Sequence, residues 1–172
     1  MNKKAVGGVI VLLLVVTAAG AGCTLPTTTS PSPTTTSPSP TAQATQAGQA
    51  SGSSKNLTLT ITPQGEATSV GTGTLGKADA GNKLVLYNAV LKNINVKGLD
   101  VNPFWFDMHL SNGSSVGLDL FATVSSQGYF PLTNGTQPGD TVNGTIVFQI
   151  AQTAKPVSIE YNDFLHNVTA NL

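Results

Sequence analysis

From Asn56 onward, apolar and polar residues alternate with a period of two. That period sends successive side chains to opposite faces of an extended chain, so it predicts strands that each bury one face. The stretch NLTLTIT places Leu57, Leu59 and Ile61 on one side and threonines on the other. KLVLYNAVLKN is the longest predicted strand, with Val85, Tyr87, Ala89 and Leu91 sharing a face. Between them, Pro63 to Asn82 is rich in Gly and Thr, with a short strand expected near Ala67 to Leu75. Val101 to Leu110 reads as a strand with Phe104, Phe106 and Met108 on one face and Trp105, Asp107 and His109 on the other. Pro103 marks its start or an edge. Asn112-Gly113 predicts a hairpin turn.

Short strands are expected over Val116 to Phe121 and Tyr129 to Leu132. Pro138-Gly139-Asp140 is a turn signal. It leads into TVNGTIVFQI, with Val142, Ile146, Phe148 and Ile150 facing inward and Thr141, Asn143, Thr145 and Gln149 outward. Val157, Ile159 and Tyr161 form another inward row, and Val168, Ala170 and Leu172 the last. No window shows a convincing helical stripe. Seven or eight short strands separated by turn signals predict an all-β fold, an antiparallel β-sandwich.

The first residues follow a different pattern. Lys3 and Lys4 precede an apolar run from Ala5 to Val16, which thins into small residues and ends at Cys23. A positive start, an apolar centre and a small-residue cleavage zone make a signal sequence. Cys23 is the single cysteine of the chain. Gly20-Ala21-Gly22-Cys23 resembles the lipobox of bacterial and archaeal lipoproteins, which implies a diacylglyceryl thioether on Cys23. Two acyl chains hold a protein to a bilayer where one does not. Gly20 departs from the lipobox, which usually has an aliphatic residue there. The triplet Ala19-Gly20-Ala21 also suits an ordinary signal peptidase, and Ala5 to Gly22 nears the spanning minimum of about 18 residues. Release and an uncleaved helix therefore stand beside lipidation.

Thr24 to Ser54 has no apolar periodicity and cannot build a core. Its repeated prolines favour extended geometry, and Ser/Thr tracts with Pro resemble O-glycosylated stalks. Fully extended, it reaches on the order of 90 Å. The chain thus divides into a signal peptide, 1–22, a lipidated Cys23 with a low-complexity linker, 23–54, and a β-sandwich domain, 55–172. The expected location is the outer face of a prokaryotic cell membrane.

Charge and composition narrow the function. Formal net charge is zero; without Lys3 and Lys4, six lysines face eight acids, giving −2. Arginine, the usual bidentate reader of phosphate and guanine, does not occur. Nucleic acid is therefore not an expected partner. With one cysteine the exported domain has no disulfide of its own, so the core must stabilise it.

Three blocks carry a family resemblance: GNKLVLYNAVLKNINVKG, VNPFWFDMHLSNGS and QPGDTVNGTIVFQI. An aliphatic strand ends in Lys92-Asn93, a phenylalanine-bearing strand closes in a polar-Gly turn, and a Pro-Gly-acid-Thr-Val turn feeds a strand with Gly, Val and Phe. The chain resembles a family of exported immunoglobulin-like domains of unknown function, found in bacterial and archaeal lipoproteins. The resemblance covers roughly residues 70–165 and implies an immunoglobulin-like fold outside the membrane, with no reaction attached.

Candidate chemistry is sparse. Asp107, Met108 and His109 are consecutive on a strand, so their side chains diverge and make no metal site. Asp163 and His166 supply two ligands, short of a site. No Gly-x-Ser-x-Gly nucleophile motif and no phosphate-cradling glycine loop with a following helix occurs. Glu66 and Glu160 form a glycosidase pair only if the fold brings them together. No enzyme activity, cofactor or metal is expected. Asn56, Asn112, Asn134, Asn143 and Asn167 head candidate N-glycosylation sequons. Trp105, as the exposed member of the aromatic triplet, is a candidate ligand platform. The expected partners are the membrane, through lipid on Cys23, and an unidentified protein or glycan. The function that follows is a non-catalytic interaction or structural module at the cell surface. An accessory ligand-binding lipoprotein for a transporter or sensor is the second reading.

Overall fold

The structure, a computed structural model, describes residues 48–172. The signal sequence, Cys23 and the spacer up to residue 47 lie outside the described residues. Ten strands form two main antiparallel sheets and a small ribbon. The first sheet contains β1 (Ala50–Ser53), β2 (Leu57–Ala67), β3 (Asn82–Asn93) and β8 (Thr141–Ala151), in that spatial order. The second orders β10 (Asn167–Asn171), β9 (Pro156–Asn162), β5 (Phe106–Leu110) and β6 (Ser115–Gly117). β4 (Leu99–Val101) and β7 (Thr133–Thr136) pair separately. The expected all-β sandwich is what forms.

The period-two rows meet between the sheets. Leu57, Leu59 and Ile61 of β2, Val85, Tyr87, Ala89 and Leu91 of β3, and Val142, Ile146, Phe148 and Ile150 of β8 face Phe106, Met108, Ile159, Tyr161, Val168 and Ala170. Phe106 lies at the centre, edge-on to Phe130 at 5.0 Å and to Tyr161 at 5.1 Å. Edge-to-face contacts suit the ring quadrupole and add stabilisation beyond area burial.

Several expectations are corrected. Residues 50–53, assigned by composition to the spacer, form β1 and pair with β2 over Ser53↔Thr58 to Ala50↔Ile61. β1 also lies against β10: Gly52 sits so close that a Cβ there would overlap the Thr169 carbonyl. Ala67 to Leu75 is not a separate strand; β2 runs on to Ala67, and only a bridge, Ser69↔Lys77, follows. Val101 to Leu110 is not continuous. β4 ends at Val101, a 3-10 turn covers Pro103–Trp105, and β5 begins at Phe106. Asn102 caps that turn by accepting from Phe104 N at 3.0 Å. Val116 to Phe121 keeps only β6, and Leu120–Ser125 is a short helix, α1, capped by Asp119, whose Oδ1 accepts from Ala122 N at 2.9 Å. Tyr129 to Leu132 forms no strand, only a parallel bridge from Tyr129 to Thr145. Val157 and Leu172 are exposed.

α1 and the segment after it give β8 a second covered face. Val147 exchanges bonds with Asp119 N (2.8 Å) and Thr123 Oγ1 (3.0 Å), and Thr145 with Gly128 and Phe130. Ala122 packs there with Val147, Leu84 and Val70. Thr145, expected at the surface, is therefore buried. This cover also shields an edge strand that would otherwise offer free N–H and C=O groups to another chain.

Candidate functional site

Three features stand out on the surface. The first is a polar trio on the outer face of the second sheet. The register sets His109 opposite Ser115, and Asp107, two residues earlier, opposite Glu160. Outward side chains at these positions converge: His109 Nδ1 lies 2.7 Å from Ser115 Oγ, and Nε2 lies 3.1 Å from Glu160 Oε2. A hydroxyl, an imidazole and a carboxylate in series is the connectivity of a nucleophile, base and orienter. Sequence reasoning weighed His109 only beside its neighbours Asp107 and Met108, and missed this set because its members come from three strands. Here Ser115 sits exposed on a three-residue edge strand, on the open side of the sheet. The trio reads as a clasp across β6, β5 and β9.

The second is a groove of about 420 Å³ on the outer face of the first sheet, lined by Gln64, Val70, Leu86, Gln127 and Thr145 among others. A β-bulge between Pro63 and Gly65 aims Gln64 into it, Gly65 taking φ 121°. Thr145 Oγ1 donates to Gln64 Oε1 at 3.2 Å. Its named lining carries no ionisable side chain.

The third is one end of the sandwich. Phe106 pairs with Tyr161, so Phe104 and Trp105 lie level with the β9–β10 turn. Val101 pairs with Thr133, which brings Leu132 to the same end. Phe104, Leu132, Phe164 and Leu165 are 55, 59, 89 and 84 % exposed. Trp105 is not the exposed aromatic: it is half-buried, edge-on to Tyr161 at 6.1 Å, and the platform position falls to Phe104. The inversion follows from the 3-10 turn, which breaks strand alternation just before Phe106. Phe164 has φ 72°, the one positive value among described non-glycine residues. Such strain persists only where surrounding bonds impose it. Asn162 Oδ1 accepts from Phe164 N at 2.9 Å, and Asp163 Oδ1 from Leu165 N and His166 N at 3.0 and 2.6 Å. Asp163 Oδ2 also meets His166 Nδ1 at 3.0 Å, so this pair serves the turn.

Among the described residues no cluster of three metal-ligating side chains occurs, and no helix is long and apolar enough to cross a membrane. Glu66 pairs with Lys83 on the first sheet and Glu160 with His109 on the second, so they do not face each other. Burial pushes the Tyr87 phenol up to about 12, helped by Glu66, and raises Tyr161 also, so both stay protonated near neutral pH. The five sequon asparagines all reach the surface; Asn134 lies in β7, and Asn56 is half-buried.

The fold and its surface define an all-β sandwich domain. The family described as Domain of unknown function (DUF4352) matches residues 47–170, and the chain belongs to it. No curated protein matches the chain. Similar solved structures include MPT63, a secreted protein from Mycobacterium tuberculosis, at 11 % identity over 70 % of this chain and 88 % of that one, TM-score 0.46. A functionally unknown protein from Listeria monocytogenes is similar at 15 % identity over 74 % and 83 %, TM-score 0.48. A Bacillus subtilis protein provisionally assigned as a lipoprotein is similar at 10 % identity over 64 % of this chain and 32 % of its own, TM-score 0.46.

Proposed function

We propose that this chain is an exported, lipid-anchored surface protein of a prokaryotic envelope whose immunoglobulin-like sandwich works by binding and not by catalysis. The leader ending at Cys23 and the Pro-rich spacer support the location. The observation that carries the binding role is the exposure of Phe104, Leu132, Phe164 and Leu165, which strand register sets towards one end of the sandwich. Contiguous exposed apolar patches, unlike scattered apolar residues, mark surfaces that meet a partner.

Cys23→Ser is expected to shift the protein from the membrane fraction to the medium, followed by fractionation and immunoblot. Full retention of the variant would remove the lipid anchor. The Ser115–His109–Glu160 trio provides the test of catalysis. A fluorophosphonate probe is expected to leave Ser115 unlabelled, because no cleft encloses its exposed hydroxyl. Labelling that disappears in His109→Ala would reverse the non-catalytic reading.

The groove favours a second reading, an accessory ligand-binding lipoprotein serving a transporter or sensor. Its uncharged amide, hydroxyl and aliphatic lining suits a neutral polar ligand.

A further inference from the structure

We propose that the groove on the first sheet is filled by the chain's own spacer, residues 41–47, which docks there as an autoinhibitory plug. The inference rests on the groove as a binding site, the second reading above, and is independent of the anchor.

The groove holds polar groups that await partners. Thr145 Oγ1 donates both to Gln64 Oε1 and to the Gln127 carbonyl, each at 3.2 Å. Those bonds turn the Gln64 oxygen to Thr145 and leave its Nε2 donors for an incoming group. Among the described residues, neither Gln64 Nε2 nor the Gln127 side chain has a hydrogen-bond partner. Ser126 Oγ donates to the Thr123 carbonyl at 2.6 Å and keeps its lone pairs. These are donors and acceptors without charge, beside the aliphatic Val70 and Leu86. An uncharged peptide with amide, hydroxyl and small apolar side chains satisfies such a set.

The path of the chain selects which peptide. β1 runs antiparallel to β2, and their ladder ends at Ala50↔Ile61 although β2 continues to Ala67. Traced back from Ala50, the chain heads past Thr62 and Pro63 towards Gln64. The ladder cannot follow it there. Pro63 has no N–H to give, and the bulge between Pro63 and Gly65 breaks the edge. The preceding residues are thus delivered beside Gln64 with no strand edge to join.

Composition fits the same occupant. No charged residue occurs between Lys4 and Lys55, and Pro40 is the last proline of the spacer. Thr41-Ala42-Gln43-Ala44-Thr45-Gln46-Ala47 therefore has an N–H at every residue, with amides and hydroxyls to match the lining and alanines to cover Val70 and Leu86. Docking buries no charge on either side. Tethering favours this segment over a free peptide or a second copy. A linked segment acts at about millimolar effective concentration, so an open groove needs only weak contacts to hold it. An outside ligand has to displace it, which makes the spacer a gate on the groove.

The test uses the full chain with Cys23→Ser, which removes the native thiol, and reads the alkylation rate of one introduced cysteine. Gln127→Cys and Gln64→Cys, at exposed positions, report on the groove, and Ser115→Cys on the second sheet. Each is compared with the same chain carrying Ala42→Asp, Ala44→Asp and Ala47→Asp, whose charges bar the segment from an uncharged groove. The groove thiols are expected to react about tenfold more slowly with the native segment, as a docking free energy of about 1.4 kcal/mol gives. The Ser115→Cys thiol is expected to react at one rate in both chains. Equal rates at both groove positions would overturn the proposal and leave the groove open to outside ligands. Protection that fades on dilution would overturn it too, because a second copy would then be the cover. The anchor is absent from every arm, so the outcome is separate from that of the Cys23 fractionation.

Discussion

Removing His166–Leu172 is expected to leave the domain unfolded at 37 °C. The deletion takes away all of β10 and with it the buried Val168 and Ala170. Five register pairs with β9 disappear, from Asn167↔Asn162 to Asn171↔Ser158. Tyr161 and Ile159, wholly buried, become edge residues with one side open. The loss also strips the turn: Asp163 no longer has His166 to hold. Burying one medium apolar side chain contributes about 1.5–3 kcal/mol. Several such losses together reach the whole stability of an average domain, about 5–15 kcal/mol. Far-ultraviolet circular dichroism with a thermal melt checks it. A cooperative transition close to the wild-type temperature would show that β10 is dispensable.

Gly52→Ala is the second large effect, expected to cost about 3 kcal/mol and to lower the melting temperature by about 10 °C. Gly52 pairs with Leu59 in β1, and its missing side chain is where the β10 backbone passes. A methyl group there meets the Thr169 carbonyl, not a rotatable side chain. β10 cannot yield without losing its ladder to β9, so one of the two edges must open. Gly48→Ala, with nothing within 4 Å of the added carbon, is the matched control and is expected to be near neutral. Equal melting temperatures for the two variants would mean that β1 does not dock on β10. The comparison has a sharp meaning because composition places Gly52 in a structureless spacer.

That misplacement shows where one-dimensional reading stops. Ala50–Ser53 has no apolar alternation, since only Ala50 of the four is buried. Its place in the sheet comes from backbone bonding to β2, which any residue can make. The 3-10 turn at Pro103–Trp105 is a similar case. Phe-Trp-Phe looks like strand, but Asn102 before Pro103 was a local cap signal that could have been read. Asp119 before Leu120 was another, although six residues are too few to display a helical stripe. Strands β3 and β8 were legible because eleven or twelve alternating positions leave little ambiguity.

The candidate sites were less legible than the fold. Alternation says which face a residue occupies, not which residue from another strand stands beside it. His109, Ser115 and Glu160 meet through two registers that depend on the hairpin at Asn112-Gly113 and on β9 arriving from far along the chain. The exposed pair Phe164-Leu165 falls between two inward rows and belongs to neither, so alternation carries no signal for it. Trp105 was identified as important and assigned the wrong environment, because one short turn reverses the parity of the preceding residues.

What the amino-acid order determined by itself was the class of core. Period-two rows of aliphatic residues can bury their surface only between sheets, and a chain with one cysteine can stabilise those sheets only by packing. Tertiary structure alone decided which strands are neighbours, which edges are covered, and which polar and apolar side chains come together at the surface. The physical reason is that hydrophobic burial is non-directional, whereas strand register and turn geometry fix positions to within a single residue.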